Sequence, residues 1–266
     1  MEAIYERPQD YDLEHEGDDE DIRFYTELVT RLRPRRVLEL ASGSGRVTIP
    51  LAHLAPVLDF SVVGVEIAPA MREEAERKRG DLESEAARRL SFVEGDLRTW
   101  QGDRPFDLII APCSSLAHLL SLDDQLMAWR RAYANLAGGG RFVADLTMPN
   151  LAVYAESMQT PPRTTVEIDI DTRHPATGVR MLRYKTTRYL PHEQRAAIRF
   201  LYDKFLEDAP ADRYVSDFDC HVYYPREVEL LFRCTGFHVE ACYGDYNRRA
   251  LRSTSRQLIV VGRRSE

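Results

Sequence analysis

Gly43 and Gly45 lie one residue apart behind the apolar stretch RVLEL at residues 36–40. A glycine turn in that place lets a ligand approach the backbone closely, and it serves a dinucleotide, a phosphate or a different nucleotide-like cofactor. The dinucleotide fingerprint places a third glycine where this chain has Thr48, and the GxxxxGK[ST] phosphate loop is absent. Glu39 precedes the first glycine by four residues. A carboxylate there repels a pyrophosphate and suits a ligand carrying positive charge. Glu66 ends the apolar run SVVGVE, where a carboxylate can accept both hydroxyls of a ribose. Asp96, just after SFVE, can receive the amino group of an adenine. Two glycines and three carboxylates at successive strand ends fit a cationic, adenosine-containing ligand.

The elements that hold these residues follow from periodicity. Ile22, Tyr25, Leu28, Val29 and Leu32 fall at helical spacing within 18–33, with acids at the helix start and Pro34 as its stop. RVLELA reads as a buried parallel strand, and RVTIPLAHLA as a helix packed on the same sheet. Residues 61–67, 91–94, 106–111 and 141–147 read as further strands. Helices are expected over 69–89, with Gly80 as a break, and over 122–137, ending at the glycines of 138–140. Strands alternating with helices imply a parallel sheet covered on both faces. The pattern changes after Pro149. Residues 164–173, 179–190, 194–206 and 213–224 read as an antiparallel meander, with turns at 174–178, 191–194 and 207–212. A helix over 225–236, begun by Pro225 and stopped by Gly236, precedes two last strands, FHVEACYG and QLIVVGRR. The expected fold is α/β: a Rossmann-like, seven-stranded, mostly parallel sheet with helices on both faces and an inserted antiparallel β cap. Residues 1–150 and 225–266 form the ligand-binding domain and 151–224 the cap.

Composition agrees with an ordinary globular domain. The chain has 266 residues, 44% hydrophobic and 30% charged, with a net charge of −7, so it is not built for nucleic acid. Its N-terminus has neither the basic nor the apolar region of a secretory signal, and no apolar run approaches the roughly 18 residues of a membrane span. Cys113, Cys220, Cys234 and Cys242 form no CxxC pair, so neither a zinc site nor a disulfide framework is expected. Reduced thiols and a cytoplasmic location follow.

The stretches ELASGSG (39–45), VVGVEIAPAM (62–71), EGDL (94–97) and FDLIIAPCSSLAHLL (106–120) together resemble the class I S-adenosylmethionine-dependent methyltransferases. The resemblance covers residues 20–150 and the closing strands. It is similar in detail to the small-molecule branch, near glycine N-methyltransferases and amino-sugar N,N-dimethyltransferases. It implies that Gly43 and Gly45 line the methionine part of S-adenosyl-L-methionine and that Glu39 holds its ammonium group. It implies further that Glu66 binds the ribose, Ile67 and Met71 flank the adenine, and Asp96 binds the adenine amino group with Leu97 beside it. Pro112 walls the methyl-transfer site. Where relatives often carry a cysteine-glycine pair, this chain has Ala41-Ser42-Gly43, and small residues keep the turn. Arg46 either pairs with the cofactor carboxylate or caps the loop. The last strand is implied to run reversed.

Methyl transfer is an in-line displacement, dominated by positioning of the acceptor. An amine or hydroxyl acceptor also needs a base at some stage. His118 is a candidate for that role, against the alternative of a helix-start histidine bonded to backbone. Tyr11 and Tyr5 belong to an N-terminal segment that in this branch folds over the cofactor; a tyrosine there either steers the acceptor or anchors the N-terminus. His221 and Tyr223 alternate on the last strand of the inserted sheet and either face the acceptor or pack the sheet. That sheet either roofs the acceptor pocket or makes a homodimer interface. No metal-ligand cluster appears, and APCS at 111–114 replaces the NPPY-type motif of nucleic-acid methyltransferases. The expected activity is methyl transfer to N or O of a small molecule, a natural-product intermediate among the candidates, releasing S-adenosyl-L-homocysteine. The other reading is a non-catalytic cofactor-binding homologue that acts as a regulator or assembly partner. An NAD-dependent oxidoreductase is disfavoured by Thr48 and Glu39.

Overall fold

A computed structural model describes residues 2–207 and 209–266. Its backbone falls into two compact units, Met1–Asp18 with Asn150–Val222, and Asp19–Pro149 with Tyr223–Glu266. The smaller unit therefore includes the N-terminal segment, which the sequence reading had assigned with the larger one.

The N-terminal segment is a 3-10 turn, Ala3–Glu6, and a short helix α1 (Pro8–Glu14) with proline in its first turn. In the larger unit α2 (Glu20–Leu32) buries Phe24, Tyr25, Leu28 and Val29 along one stripe and ends where Arg33 turns left-handed before Pro34. Strand β1 (Arg36–Leu40) follows, its entry fixed by Asp107, which accepts from the backbone N–H groups of Arg35 (2.8 Å) and Arg36 (2.9 Å). Next come α3 (Thr48–Leu58), β2 (Ser61–Glu66), α4 (Pro69–Gly80), α5 (Ser84–Arg88) and β3 (Leu90–Glu94). The expected helix over 69–89 is thus two helices divided just after Gly80. Strand β4 (Phe106–Ala111), a 3-10 turn (Ser115–His118), α6 (Leu122–Asn135) and β5 (Leu136–Thr147) complete this stretch.

Gly138–Gly140 do not terminate α6, as the sequence reading had it. They lie inside β5, where the pairing with β4 slips between Phe106↔Leu136 and Leu108↔Arg141. A Cβ on Gly140 would come within 2.9 Å of the Ala137 carbonyl oxygen and 3.2 Å of that of Asp107. Glycine marks a bulge here rather than a stop.

The smaller unit continues with α7 (Leu151–Ser157), absent from the sequence reading, and β6 (Glu167–Arg173), β7 (Arg180–Leu190), β8 (Arg195–Leu206) and β9 (Ala209–His221). These four strands form an antiparallel meander in the order β6-β7-β8-β9. The turn expected over 207–212 is shorter than its signals suggested, since Ala209 already pairs with Leu206; residue 208 lies outside the described residues. The N-terminal segment is bound to this meander. The Ile4 N–H donates to Ser216 Oγ (3.3 Å), Lys204 pairs with Asp10 (2.6 Å), and Tyr202 and Arg183 both donate to Glu14 (2.8 Å each).

Back in the larger unit, α8 (Pro225–Cys234) leads to β10 (His238–Tyr243) and β11 (Gln257–Arg263). The seven strands run in the order β10-β11-β5-β4-β1-β2-β3. All neighbours are parallel except those of β11, which is antiparallel to both β5 and β10, so the last strand is reversed as expected. Tyr25, Leu28, Val37, Leu51, Ile110 and Val143 are among the side chains buried between this sheet and its helices. Among the described residues no helix is long and apolar enough to cross a membrane, and no group of three or more His, Cys, Asp or Glu side chains could hold a metal ion.

Candidate cofactor site

In this strand order the chain leaves β1 toward β2 and β3, then returns to the other side of β1 with β4. The crevice of an open α/β sheet lies outside the carboxyl ends of the strands at such a reversal. Here those ends are the β1 loop, residues 41–47, and the β4 loop, residues 112–118.

The β1 loop turns sharply. Ala41, Gly43 and Gly45 all have positive φ, at 53°, 56° and 82°. The Ser42 N–H donates to the Val65 carbonyl (3.0 Å) and the Ile49 N–H to that of Gly45 (2.9 Å), which joins the loop to β2 and to the start of α3. The two glycines differ. A Cβ on Gly43 would meet only the Met71 methyl, at 3.9 Å, so its face is open. A Cβ on Gly45 would press on Phe92 at 3.0 Å and Ile49 at 3.1 Å, so the protein's own packing needs that glycine.

Glu66 organises the loop from β2. One carboxylate oxygen accepts from the Gly43 N–H (2.8 Å) and the other from the Ala68 N–H (2.7 Å). Each oxygen retains a lone pair for a further donor. Glu39 is 3% exposed at the end of β1. The Thr48 hydroxyl donates to its Oε2 at 2.5 Å. Burial raises the Glu39 carboxyl to about 8, against the lowering effect of the Thr48 bond and Arg46. Thr48, noted in the sequence only as a missing glycine, is thus the residue on which Glu39 rests.

The other expected cofactor residues are distributed as follows. Met71 is buried under Gly43, while Ile67 stands 54% exposed at the end of β2. Asp96, beyond β3 and beside the partly buried Leu97, accepts from the Arg98 N–H (2.8 Å) and Nε (3.0 Å). Arg98 also donates to Asp124 at 2.7 Å. Its guanidinium, foremost, holds the Asp96 carboxyl below the usual range. Arg46 pairs with Asp21 of α2 through two nitrogens and donates to Cys113 Sγ at 2.9 Å. It therefore bridges the β1 and β4 loops.

In the β4 loop Pro112 is buried, and Cys113 and Ser114 both carry positive φ, 54° and 56°. Such strain in residues other than glycine persists only where surroundings enforce it. Asp145 does so from β5. Its backbone carbonyl accepts from the Ser114 N–H (3.0 Å), and its carboxyl accepts from the Cys113 backbone and from the hydroxyls of Tyr25 (3.0 Å) and Tyr246 (3.1 Å). Burial lifts this carboxyl to about 7. A single acid inside the apolar run RFVADLT is the sequence signal for this network.

His118 ends the 3-10 turn of the same loop and is half-buried. The turn is fixed from below by Tyr223, 2% exposed, whose hydroxyl donates to the Leu116 carbonyl at 3.1 Å and whose ring lies 5.9 Å from Trp129. The larger unit thus contains the expected cofactor residues, Ala41 of the glycine turn among them, with His118 and Tyr223. Tyr5, Tyr11 and His221 belong to the smaller unit. There Tyr5 and Tyr11 pack with Ile4, Leu13, Met181 and Tyr202, and His221 pairs with Arg195 across β8 and β9.

Residues 37–140 match the model of a methyltransferase domain family. The chain is 36% identical over 141 residues to the trans-aconitate 2-methyltransferase of Methylobacterium radiotolerans, a match of 51% of this chain and 47% of that protein. It spans about half the length of the curated relatives it matches. Among solved structures the CcbJ methyltransferase from Streptomyces caelestis superposes with a TM-score of 0.73 at 23% identity, covering 92% of this chain and 90% of that one. The sugar N-methyltransferase KedS8 from a Streptoalloteichus species superposes with a TM-score of 0.68 at 20% identity, covering 96% and 93%. At these identities the two structures speak for the fold.

Proposed function

We propose that this chain, whose residues 37–140 match a methyltransferase domain model, is a class I methyltransferase that binds S-adenosyl-L-methionine and transfers the methyl group to a nitrogen or oxygen of a small molecule. The observation that carries the reading is the convergence of two buried carboxyls, Glu39 and Glu66, on one glycine loop at the reversal point of the sheet. That donor set fits a cationic nucleoside. Glu39 offers a buried carboxyl whose charged form an ammonium group would stabilise. Glu66 has lone pairs to receive ribose hydroxyls. Gly43 leaves the backbone accessible, with Met71 and Ile67 as apolar walls for an adenine. A pyrophosphate would meet the Glu66 carboxylate and would oppose ionisation of Glu39.

When bound, the cofactor supplies an electrophilic methyl group on sulfur. The chain's part is to orient the acceptor, exclude water and accept a proton. Pro112 and the braced turn at Cys113 and Ser114 shape the wall beside the transfer path. His118 takes the proton that an amine or hydroxyl acceptor gives up, its turn held by Tyr223. KedS8, a sugar N-methyltransferase of the same fold, makes the nitrogen of a small molecule the first acceptor to try. The test is incubation with methyl-labelled S-adenosyl-L-methionine and a panel of small amines, amino sugars and hydroxy acids. Label in one acceptor class is expected. Cofactor binding with no transfer to any class would support the non-catalytic alternative.

A further inference from the structure

Thr48 sits at the first turn of α3 and is fully buried. Its Oγ1 does not serve the helix backbone, a common use of threonine hydroxyls in helices. It reaches across to Glu39, nine residues earlier in the chain. Among the described residues this hydroxyl is the hydrogen-bond partner of the Glu39 carboxyl. The nearby cation, Arg46, is committed to Asp21 and Cys113, while Asp21 and Glu66 add negative charge around Glu39. Among the described residues the Glu39 carboxyl is therefore steered by a neutral donor and has no direct counter-ion.

We propose that Thr48 is a positioning residue for the amino-acid end of the cofactor: it fixes Glu39 through one oxygen and leaves the other for the ligand's ammonium group. The proposal rests on the cofactor reading above. Threonine suits the task because its branched Cβ restricts rotation while its hydroxyl supplies the donor. Valine keeps the branched Cβ and removes the donor.

Two ligands separate positioning from plain structural support. S-adenosyl-L-homocysteine carries the ammonium group; 5′-methylthioadenosine has the adenosine and the sulfur but lacks the amino-acid end. Calorimetric affinities for both are measured on the full chain and its variants. Thr48→Val is expected to weaken S-adenosyl-L-homocysteine about tenfold or more, the scale of one hydrogen bond to a charged group, and to leave 5′-methylthioadenosine within about twofold. Thr48→Ser restores most of the loss. Glu39→Gln gives the same selective loss, and adding Thr48→Val to it costs little more, because the two act through one contact. Equal weakening of both ligands, weakening of neither, or no recovery with serine overturns the proposal. Should Thr48→Val not fold, Thr48→Ala carries the same comparison; if neither folds, Thr48 is a packing residue and the proposal falls. A wild-type chain that binds neither ligand contradicts the cofactor reading itself and takes this proposal with it, whereas loss of selectivity in the variants leaves that reading standing.

Discussion

Glu39 is a buried acid whose proton is held more tightly in the folded chain than in the unfolded one. Its carboxyl is raised from near 4.5 to about 8. Between those values the folded state binds the extra proton, so this group's contribution to stability is complete below about pH 4.5 and is lost as pH rises through 8. Asp145 acts in the same sense, raised from 3.8 to about 7. Glu39→Gln removes the ionisation. Thermal melts should show the variant a few degrees above the wild type at pH 8, with the gap closing toward pH 5. A pH-independent gap would contradict the assignment of Glu39 as a buried acid without a counter-ion. On the proposed reading, a ligand's ammonium group offsets the burial cost of the charged Glu39 carboxyl. His118 belongs to the same scale. His118→Ala should lower kcat about a hundredfold or more while leaving cofactor affinity near that of the wild type. Equal loss in both would make it a structural residue of the turn.

At the scale of elements, the β1 loop separates packing from ligand access. Gly45→Ala forces a side chain into left-handed backbone against Phe92 and Ile49, and should cost about 1–3 kcal/mol in urea unfolding. Gly43→Ala meets open space and should cost about 1 kcal/mol, the backbone term alone. Similar costs at the two glycines would contradict this division. The loop and its acids were legible in the sequence because each follows an apolar run whose length fixes where a buried strand must end. The partners that hold them were not. Thr48, Arg98 and Asp145 act through side-chain geometry across sequence gaps of 9, 2 and 120 residues, in the Glu39, Asp96 and Tyr25 contacts. The glycines of 138–140 misled because a run of glycine signals a stop in helical context and a bulge in a sheet, and only the pairing with β4 decides between them. Helix α1 was missed for a related reason. PQDYDLE is short and polar, and it is held by Lys204, Arg183, Tyr202 and Tyr214, between 169 and 204 residues away.

At the scale of the whole molecule, the change of pattern after Pro149 announced a second unit, and the structure divides the chain at Asn150. What the pattern could not announce is that residues before Asp19 belong with that unit, since the contacts that join them, such as Arg7 with Asp212 and over the Tyr214 ring, leave no periodicity. The larger unit carries every residue on which the account depends: Glu39, Glu66, the glycine loop and the braced β4 turn. The measurement that tests it most directly is calorimetric titration of the whole chain with S-adenosyl-L-methionine, S-adenosyl-L-homocysteine and NAD. Micromolar binding of the first two, with none of the third, is the predicted result. Binding of NAD alone would contradict the reading of Glu39 and of the loop it adjoins.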